Sequence, residues 1–250
     1  MIKKRSGSSR YFFIFLIFAL LIYGSYWGIN SLFTKLDIFN VKSISITGNS
    51  NLETDFLLNI CSDLVGKNLY SISKLNVRKK YENIVRINDI KVTRIFPDKL
   101  KIRIIETKGE FFIRTQKGCI FPIDQDRIVL DNVNFYNDEI LPVIDTKIPD
   151  PDIVIGSKLI NELVEEVFLL KSSFDKIDPT FIKSISEFYK SGEDIVFVNA
   201  NIGYRIVLGS NEIEEKLGKL NFLEQNRSFE KGTTIDLRFK DQLVIRAEEL

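Results

Sequence analysis

The sequence contains no histidine. That absence removes Ser-His-Asp and Cys-His catalysis, the usual zinc sites and haem ligation by histidine. Cysteine is nearly as scarce, since Cys61 and Cys119 are too few for a disulfide framework. Six prolines and thirteen glycines exclude a proline-rich or collagen-like chain. Net charge is close to nil, with thirty-five Lys and Arg against thirty-four Asp and Glu. What is present is an ordinary folding composition, 44% hydrophobic and 28% charged, so wholesale disorder is excluded. At 250 residues the chain suffices for one large domain or two small ones.

The near balance of charge hides an asymmetry. Residues 1–33 hold Lys3, Lys4, Arg5 and Arg10 and no acid. The thirty-one basic groups that remain face all thirty-four acids, so the rest of the chain is weakly acidic. Such a body has no electrostatic footprint for nucleic acid, which needs several cations to displace phosphate counterions.

Between Tyr11 and Phe33 no side chain is charged. A helix over this run spans roughly 35 Å at about 1.5 Å per residue, against a hydrocarbon core of about 30 Å. A helix also satisfies its own backbone in lipid. Tyr11 at one end and Tyr23, Tyr26 and Trp27 towards the other suit the two interfaces. The four cations before the run place the N-terminus in the cytoplasm and the body outside. A cleaved signal peptide is the competing reading, because Phe12 to Ile22 has the length of a signal-peptide core. The bulky residues that follow, without an A-x-A-like site, favour an uncleaved anchor.

Beyond the anchor the pattern changes twice. Phe39 and Val41 begin an alternation that slips before Ile44 and Ile46, and Gly48-Asn49 ends the strand. Leu52 to Cys61 has helical spacing with Asn51 as its N-cap, and Gly66 breaks it. A second helix starts at Ser73, with Leu75, Tyr81, Ile84 and Val85 on its buried side. Ile90, Val92, Arg94 and Phe96 share one pleat face; Pro97-Asp98 turns the chain; Ile102, Ile104 and Glu106 follow. The order β-α-α-β-β predicts two helices on a three-stranded sheet.

Residues 110–250 read as β-rich. Strand candidates are Glu110–Thr115, Cys119–Ile123, Arg127–Leu130, Phe181–Phe188, Ile195–Val198 and Gly203–Leu208. Pro149 to Asp152 is a loop signal, and Ser157 caps a helix running to about Lys171. Asn211 with Glu214 has the form of a capping box before Ile213, Leu217 and Leu220.

Chemistry-bearing motifs are sparse. The acidic pairs Glu165-Glu166, Glu214-Glu215 and Glu248-Glu249, with Asp150 and Asp152, read as wet faces, because adjacent helical carboxylates diverge. No Walker-type or G-x-G-x-x-G loop occurs. Cys61 in an apolar helical stripe and Cys119 in a strand read as small core residues. A disulfide between them stays open for a domain outside the cytoplasm. No catalytic, cofactor-binding or metal-binding residue is expected.

The last segment, Thr233–Arg246, alternates cleanly, with Ile235, Leu237 and Phe239 on one face and Thr234, Asp236 and Arg238 on the other. Lys240-Asp241-Gln242 can turn, and Leu243, Val244, Ile245 and Arg246 make a final strand. Most terminal hairpins bind nothing beyond their own core. The functional alternative is β-augmentation, in which a partner adds a strand to an open sheet edge.

Taken in order, FNVKSISITGN, GKNLYSIS and INDIKVTRIFPDKLKIRIIE resemble a POTRA domain standing just outside a single membrane helix. That architecture is similar to the FtsQ/DivIB family of bacterial cell-division proteins. FFIRTQKGCIFPID resembles the first hairpin of that family's β domain, and Leu141-Pro142-Val143 its LP turn. YRIVLGSNEIEEKLGKLNFL with TTIDLRFKDQLVIR resembles its closing helix and strand pair. One departure is Glu110-Phe111-Phe112, where the family usually has Pro-Val-Ala. The resemblance implies an α+β protein: a cytoplasmic tail 1–10, a transmembrane helix 11–33, a POTRA domain 37–107 and a β domain 108–250. It implies a non-enzymatic, single-pass inner-membrane protein whose body lies in the periplasm at the division septum. It also implies that FtsB, with FtsL, docks on Phe239, Lys240, Asp241, Gln242, Leu243, Val244, Ile245 and Arg246, so that septal peptidoglycan synthesis is regulated. A second docking edge is expected at Asn88–Arg94, with Lys91 and Thr93 outward. The rivals are a membrane-tethered envelope enzyme and a POTRA component of an outer-membrane assembly or secretion system. The latter normally carries several POTRA domains or a long β-barrel.

Overall fold

The structure, a computed structural model, describes residues 7–131, 140–209, 212–239 and 242–247. Within the first helix, side chains are described at 11–25, 28, 33 and 34. The chain divides into two compact units, Met1–Ile105 and Glu106–Leu250. The fold is mixed α and β, with a POTRA-like layer in the first unit and a β-rich second unit.

The first unit opens with helix α1, Gly7–Lys35. Its side chains from Tyr11 to Tyr23 are all exposed and none is charged, so the helix has no protein face to bury there. Among the described residues no helix is long and apolar enough to cross a membrane.

After α1 come β1 (Ser43–Thr47), α2 (Thr54–Ile60), α3 (Lys74–Lys80), β2 (Ile87–Ile95) and β3 (Lys99–Glu106). The sheet order is β1-β3-β2, and β1 runs parallel to β3 with Ile44 opposite Leu100 and Ile46 opposite Ile102. Leu57 of α2 and Val77 of α3 close over Val92, Leu100, Ile102 and Ile104 to form one core. Tyr81 is sealed into it and its hydroxyl donates to the Leu57 carbonyl at 2.9 Å. Burial pushes the Tyr81 phenol up, and it pushes the Cys61 thiol up in the same way.

The second unit is an eight-stranded mixed sheet in the order β11-β10-β9-β8-β7-β6-β4-β5. Its strands are β4 (Phe111–Arg114), β5 (Ile120–Ile123), β6 (Val143–Asp145), β7 (Ile185–Ser191), β8 (Asp194–Asn199), β9 (Arg205–Val207), β10 (Thr234–Asp236) and β11 (Val244–Arg246). Helices α4 (Glu162–Ile177) and α5 (Ile213–Asn226) bury Val164, Val167, Phe174, Leu217 and Leu220 with Phe188, Phe197, Ile206 and Ile235.

Several local expectations are corrected. Phe39 lies in a 3-10 turn, Asp37–Phe39, not in a strand. Val41 pairs with Lys67 and Gly66 instead of the sheet, which is why the alternation slips before Ile44. Helix α2 is capped by Glu53 without a side-chain bond, not by Asn51. Leu75 is 61% exposed, because it lies in the first turn of α3 away from Val77. Arg127–Leu130 forms only isolated bridges, and Phe181–Ser184 is a 3-10 turn before β7. Helix α4 starts at Asn161, whose side chain accepts from the Val164 N–H, and not at Ser157. The loop expected at Pro149 to Asp152 is present and holds a 3-10 turn, Asp150–Asp152. Glu212 caps α5 from a left-handed conformation; Asn211 lies outside the described residues. Cys119 is exposed, and both cysteines are free thiols.

Gly48 ends β1 with φ of +86°, and a Cβ there would collide with the Ile104 carbonyl oxygen. Both the left-handed backbone and the collision oppose any side chain. Gly48→Ala should therefore cost the first unit at least about 2 kcal/mol, read as a lower chemical-denaturation midpoint by circular dichroism.

Candidate functional site

Strand β10 forms because Ile235 fills the core completely while its backbone pairs parallel to β9, Ile235 opposite Ile206. Leu237 stays buried and its N–H donates to the Val207 carbonyl at 2.8 Å. The expected continuation to Phe239 fails at this point: Phe239 turns out to 48% exposure instead of sharing the buried face. On the opposite face Asp236 is buried, which the alternation did not reveal.

Asp236 is held by Arg238. Its Oδ1 accepts from the Arg238 backbone N–H at 3.1 Å and from Nε at 2.9 Å, and its Oδ2 takes the other arm at 2.6 Å. The same guanidinium reaches Asp194 on β8 at 3.0 Å, tying the end of β10 back across the sheet. Gly209 makes room for it: a Cβ there would stand 3.1 Å from the Arg238 Cγ and 3.3 Å from its Cα. The Arg238 bonds hold the Asp236 carboxyl below the usual range, against the upward push of burial. Asp236 and Arg238 share a face at a spacing of two, so that half of the clamp was visible in the pattern. Asp194, forty-four positions away in sequence, left no local signal.

Strand β11 returns antiparallel to β10, with Thr234 opposite Arg246 and Asp236 opposite Val244. Leu243 and Ile245 pack against the core, Val244 is half-buried, and Gln242 and Arg246 are exposed. Lys240 and Asp241 lie outside the described residues. In the sheet β11 has one neighbour, so alternate N–H and C=O groups along it face outward.

The opposite end of the sheet is built differently. Strand β5 is also terminal, but the 127–130 segment crosses it, with Val129 bridging Ile123 and the Leu130 N–H donating to the Pro122 carbonyl at 2.9 Å. Pro122 itself removes a donor, as suits an edge. One end of the sheet is thus covered by its own chain, and β11 is the end with no second strand among the described residues. In the first unit β2 is terminal too, with Lys91 and Thr93 exposed along it.

The carboxylates do not converge. Glu162 and Glu166 pair with Lys190, Glu165 with Arg127, Glu214 with Lys176 and Glu215 with Lys219. Glu224 takes the Tyr204 hydroxyl in a shallow open recess, and burial, then that carboxylate, pushes Tyr204 up. The Cys119 thiol donates to Asp150 at 3.1 Å, which raises it and keeps it from ionising. Among the described residues no three His, Cys, Asp or Glu gather to hold a metal. Glu248 and Glu249 lie outside the described residues.

Comparison with known proteins falls on this same layout. Residues 39–107 match the model of the POTRA domain, FtsQ-type. The cell division protein DivIB of Clostridium botulinum strain Hall is 27% identical over 126 residues, covering 47% of this chain and 46% of that protein. The cell division protein DivIB of Brevibacillus brevis strain 47 is 24% identical over 184 residues, 74% of this chain and 62% of that protein. Residues 39–107 are thus similar to an FtsQ-type POTRA domain, and the chain is similar to DivIB cell-division proteins. It matches about half the length of the Clostridium relatives. The FtsQ-type match begins and ends within two residues of Phe39 and Glu106, and so contains all three strands of the first sheet.

The Asp236 clamp should titrate. The folded carboxyl lies below the usual carboxylate range, so its stabilisation is complete above the unfolded value and is lost as pH falls through the lower folded one. Asp236→Asn should cost about 1–2 kcal/mol at neutral pH, reduced from a fully buried pair because Arg238 is partly solvated. Urea melts of both proteins across about pH 2.5–7 should converge at the acid end.

Proposed function

We propose that the chain is a non-catalytic, membrane-anchored scaffold of the division machinery, and that its β11 edge receives a strand from an FtsB-like partner accompanied by an FtsL-like one. The observation that carries this reading is the asymmetry of the eight-stranded sheet: β5 is covered by residues 127–130, and β11 is flanked by β10 alone. The docking residues are Phe239 and Gln242 to Arg246, with Lys240 and Asp241 joining them in sequence. Exposed Phe239 supplies an apolar contact beside the backbone edge. The cell-division names of the DivIB relatives support the process, and regulation of septal peptidoglycan synthesis is the role that follows from it.

The anchor in this proposal is α1. Its 29 residues extend about 43 Å along the axis. Its exposed phenylalanines, leucines and isoleucines need a nonaqueous surrounding. Lys3, Lys4, Arg5 and Arg10 set the N-terminus on the cytoplasmic side of the membrane, with the two folded units outside at the septum. Strand β2 with Lys91 and Thr93 is a secondary docking edge.

Strand addition requires outward N–H groups, and proline removes one. Ile245→Pro, at the β11 amide that faces away from β10, and Phe239→Glu should each reduce capture of the FtsB-like partner by the full-length protein at least about tenfold, while far-ultraviolet circular dichroism stays that of the parent. Thr93→Pro should leave that capture unchanged. Undiminished capture by both β11-region variants would remove this edge from the account.

A further inference from the structure

The end of α1 does not run into a free linker. Phe33, the last residue of the uncharged run, stacks against Phe39 and Tyr70 with ring centroids 5.2 Å away in each case. Tyr70 contacts Phe96 at 5.6 Å, and Phe39 contacts Phe96 at 6.2 Å. Four rings from α1, the following 3-10 turn, the 66–71 loop and the β2–β3 turn thus form one cluster.

Helix C-termini leave carbonyls without intrahelical partners, and Asn68 takes them. Its Nδ2 donates to the Phe33 carbonyl at 3.1 Å and to the Leu36 carbonyl at 3.2 Å. Its Oδ1 accepts from the Tyr70 N–H at 2.9 Å, which fixes the amide's orientation. A side chain of the folded POTRA layer therefore caps the helix, and the cluster cannot lie far from the end of α1.

Around this joint large apolar side chains are open to solvent: Leu36 at 42%, Ile38 at 59% and Phe96 at 56%. The cations beside them, Lys42 and Lys67, are each engaged by an acid, Asp98 and Asp63, at 3.0 Å. The rim is consequently close to neutral, which suits burial of apolar surface better than attraction to anionic headgroups.

We infer that this foot of the POTRA domain, Leu36, Ile38 and Phe96 on the Phe33–Phe39–Tyr70 cluster, sits in the lipid interface. The inference rests on α1 being the membrane anchor. Phe33 then marks the boundary of the hydrocarbon, and the interfacial layer beyond it is roughly 5–8 Å deep. Phe39 and Tyr70, each 5.2 Å from Phe33, fall inside that layer, and Phe96, 5.6 Å beyond Tyr70, reaches its outer side. Aromatic and aliphatic groups are favoured there, with the Tyr70 hydroxyl able to reach water. The occupant of the patch is the bilayer's own headgroup and upper acyl region, continuous with the lipid around α1. The foot gives the domain a fixed stance above the membrane, as a flexible linker would not.

The chain's single tryptophan, Trp27, makes the two claims separable. Full-length protein is reconstituted in phosphatidylcholine vesicles containing lipid brominated near the headgroup end of the acyl chain. Trp27 emission in the parent reports the anchor. In a W27F background, F96W and, separately, I38W report the foot, and N88W reports a point on β2 about 25 Å further along the strand. Quenching of Trp27, F96W and I38W with little quenching of N88W is the expected result. Quenching of Trp27 alone would overturn the foot and leave the anchor standing. Unquenched Trp27 would remove the anchor and the foot with it. Equal quenching of N88W and F96W would also overturn the foot, since the domain would then lie along the membrane.

Discussion

A β-strand presents hydrogen-bonding groups to both sides, and a sheet that does not close must leave two rows of them unmatched. How the chain treats those rows decides what the second unit can do. At β5 the row is met by residues 127–130 and broken by Pro122. At β11 it is not met by another strand among the described residues. The strand is only three residues long, Val244–Arg246, which itself discourages indiscriminate pairing. Such an edge offers one or two outward hydrogen-bond pairs, worth roughly 1–3 kcal/mol net in total. Alone that is a poor binding site. For a partner tethered in the same membrane, the effective concentration is high, and a weak but geometrically selective edge becomes sufficient.

The edge is also held at a defined place. Ile235 and Leu237 fix β10 from the core side, while Asp236, Arg238 and Asp194 fasten it from the other. Gly209 is the position that lets the Arg238 side chain cross. Phe239 is released immediately after this clamp, so its exposure follows from where the chain is fastened and not from looseness. At the far end of the molecule's sequence a similar logic applies: Asn68 and four aromatic rings fasten α1 to the POTRA layer at its last turn.

Much of this was legible from residue order because the signals are local. The β-α-α-β-β series follows from periodicity, with Ser73 capping α3 as its position suggests and accepting from the Asn76 N–H. The last strand's place at the sheet margin follows from its being last. What escaped depended on distant parts of the chain. Val41 leaves the sheet because Gly66 and Lys67 claim its backbone. Asn161, not Ser157, caps α4 because Ser157 and Lys158 are already engaged with Val129 and Ile128. Arg86 and Lys216 are buried charged residues that no periodicity would place inside. Strand β6 is too short, at three residues, to show an alternation.

The central claim is that another chain completes β11, and amide hydrogen exchange addresses it at the backbone itself. Exchange at Ile245, whose N–H faces away from β10, would be followed in the full-length protein, alone and saturated with an FtsB-like partner, with the inward amides of Val244 and Arg246 as the internal reference. The account predicts that the outward-facing amide of this strand exchanges readily in the free protein and becomes protected in the complex. Saturation with partner while that amide exchanges as before would contradict it.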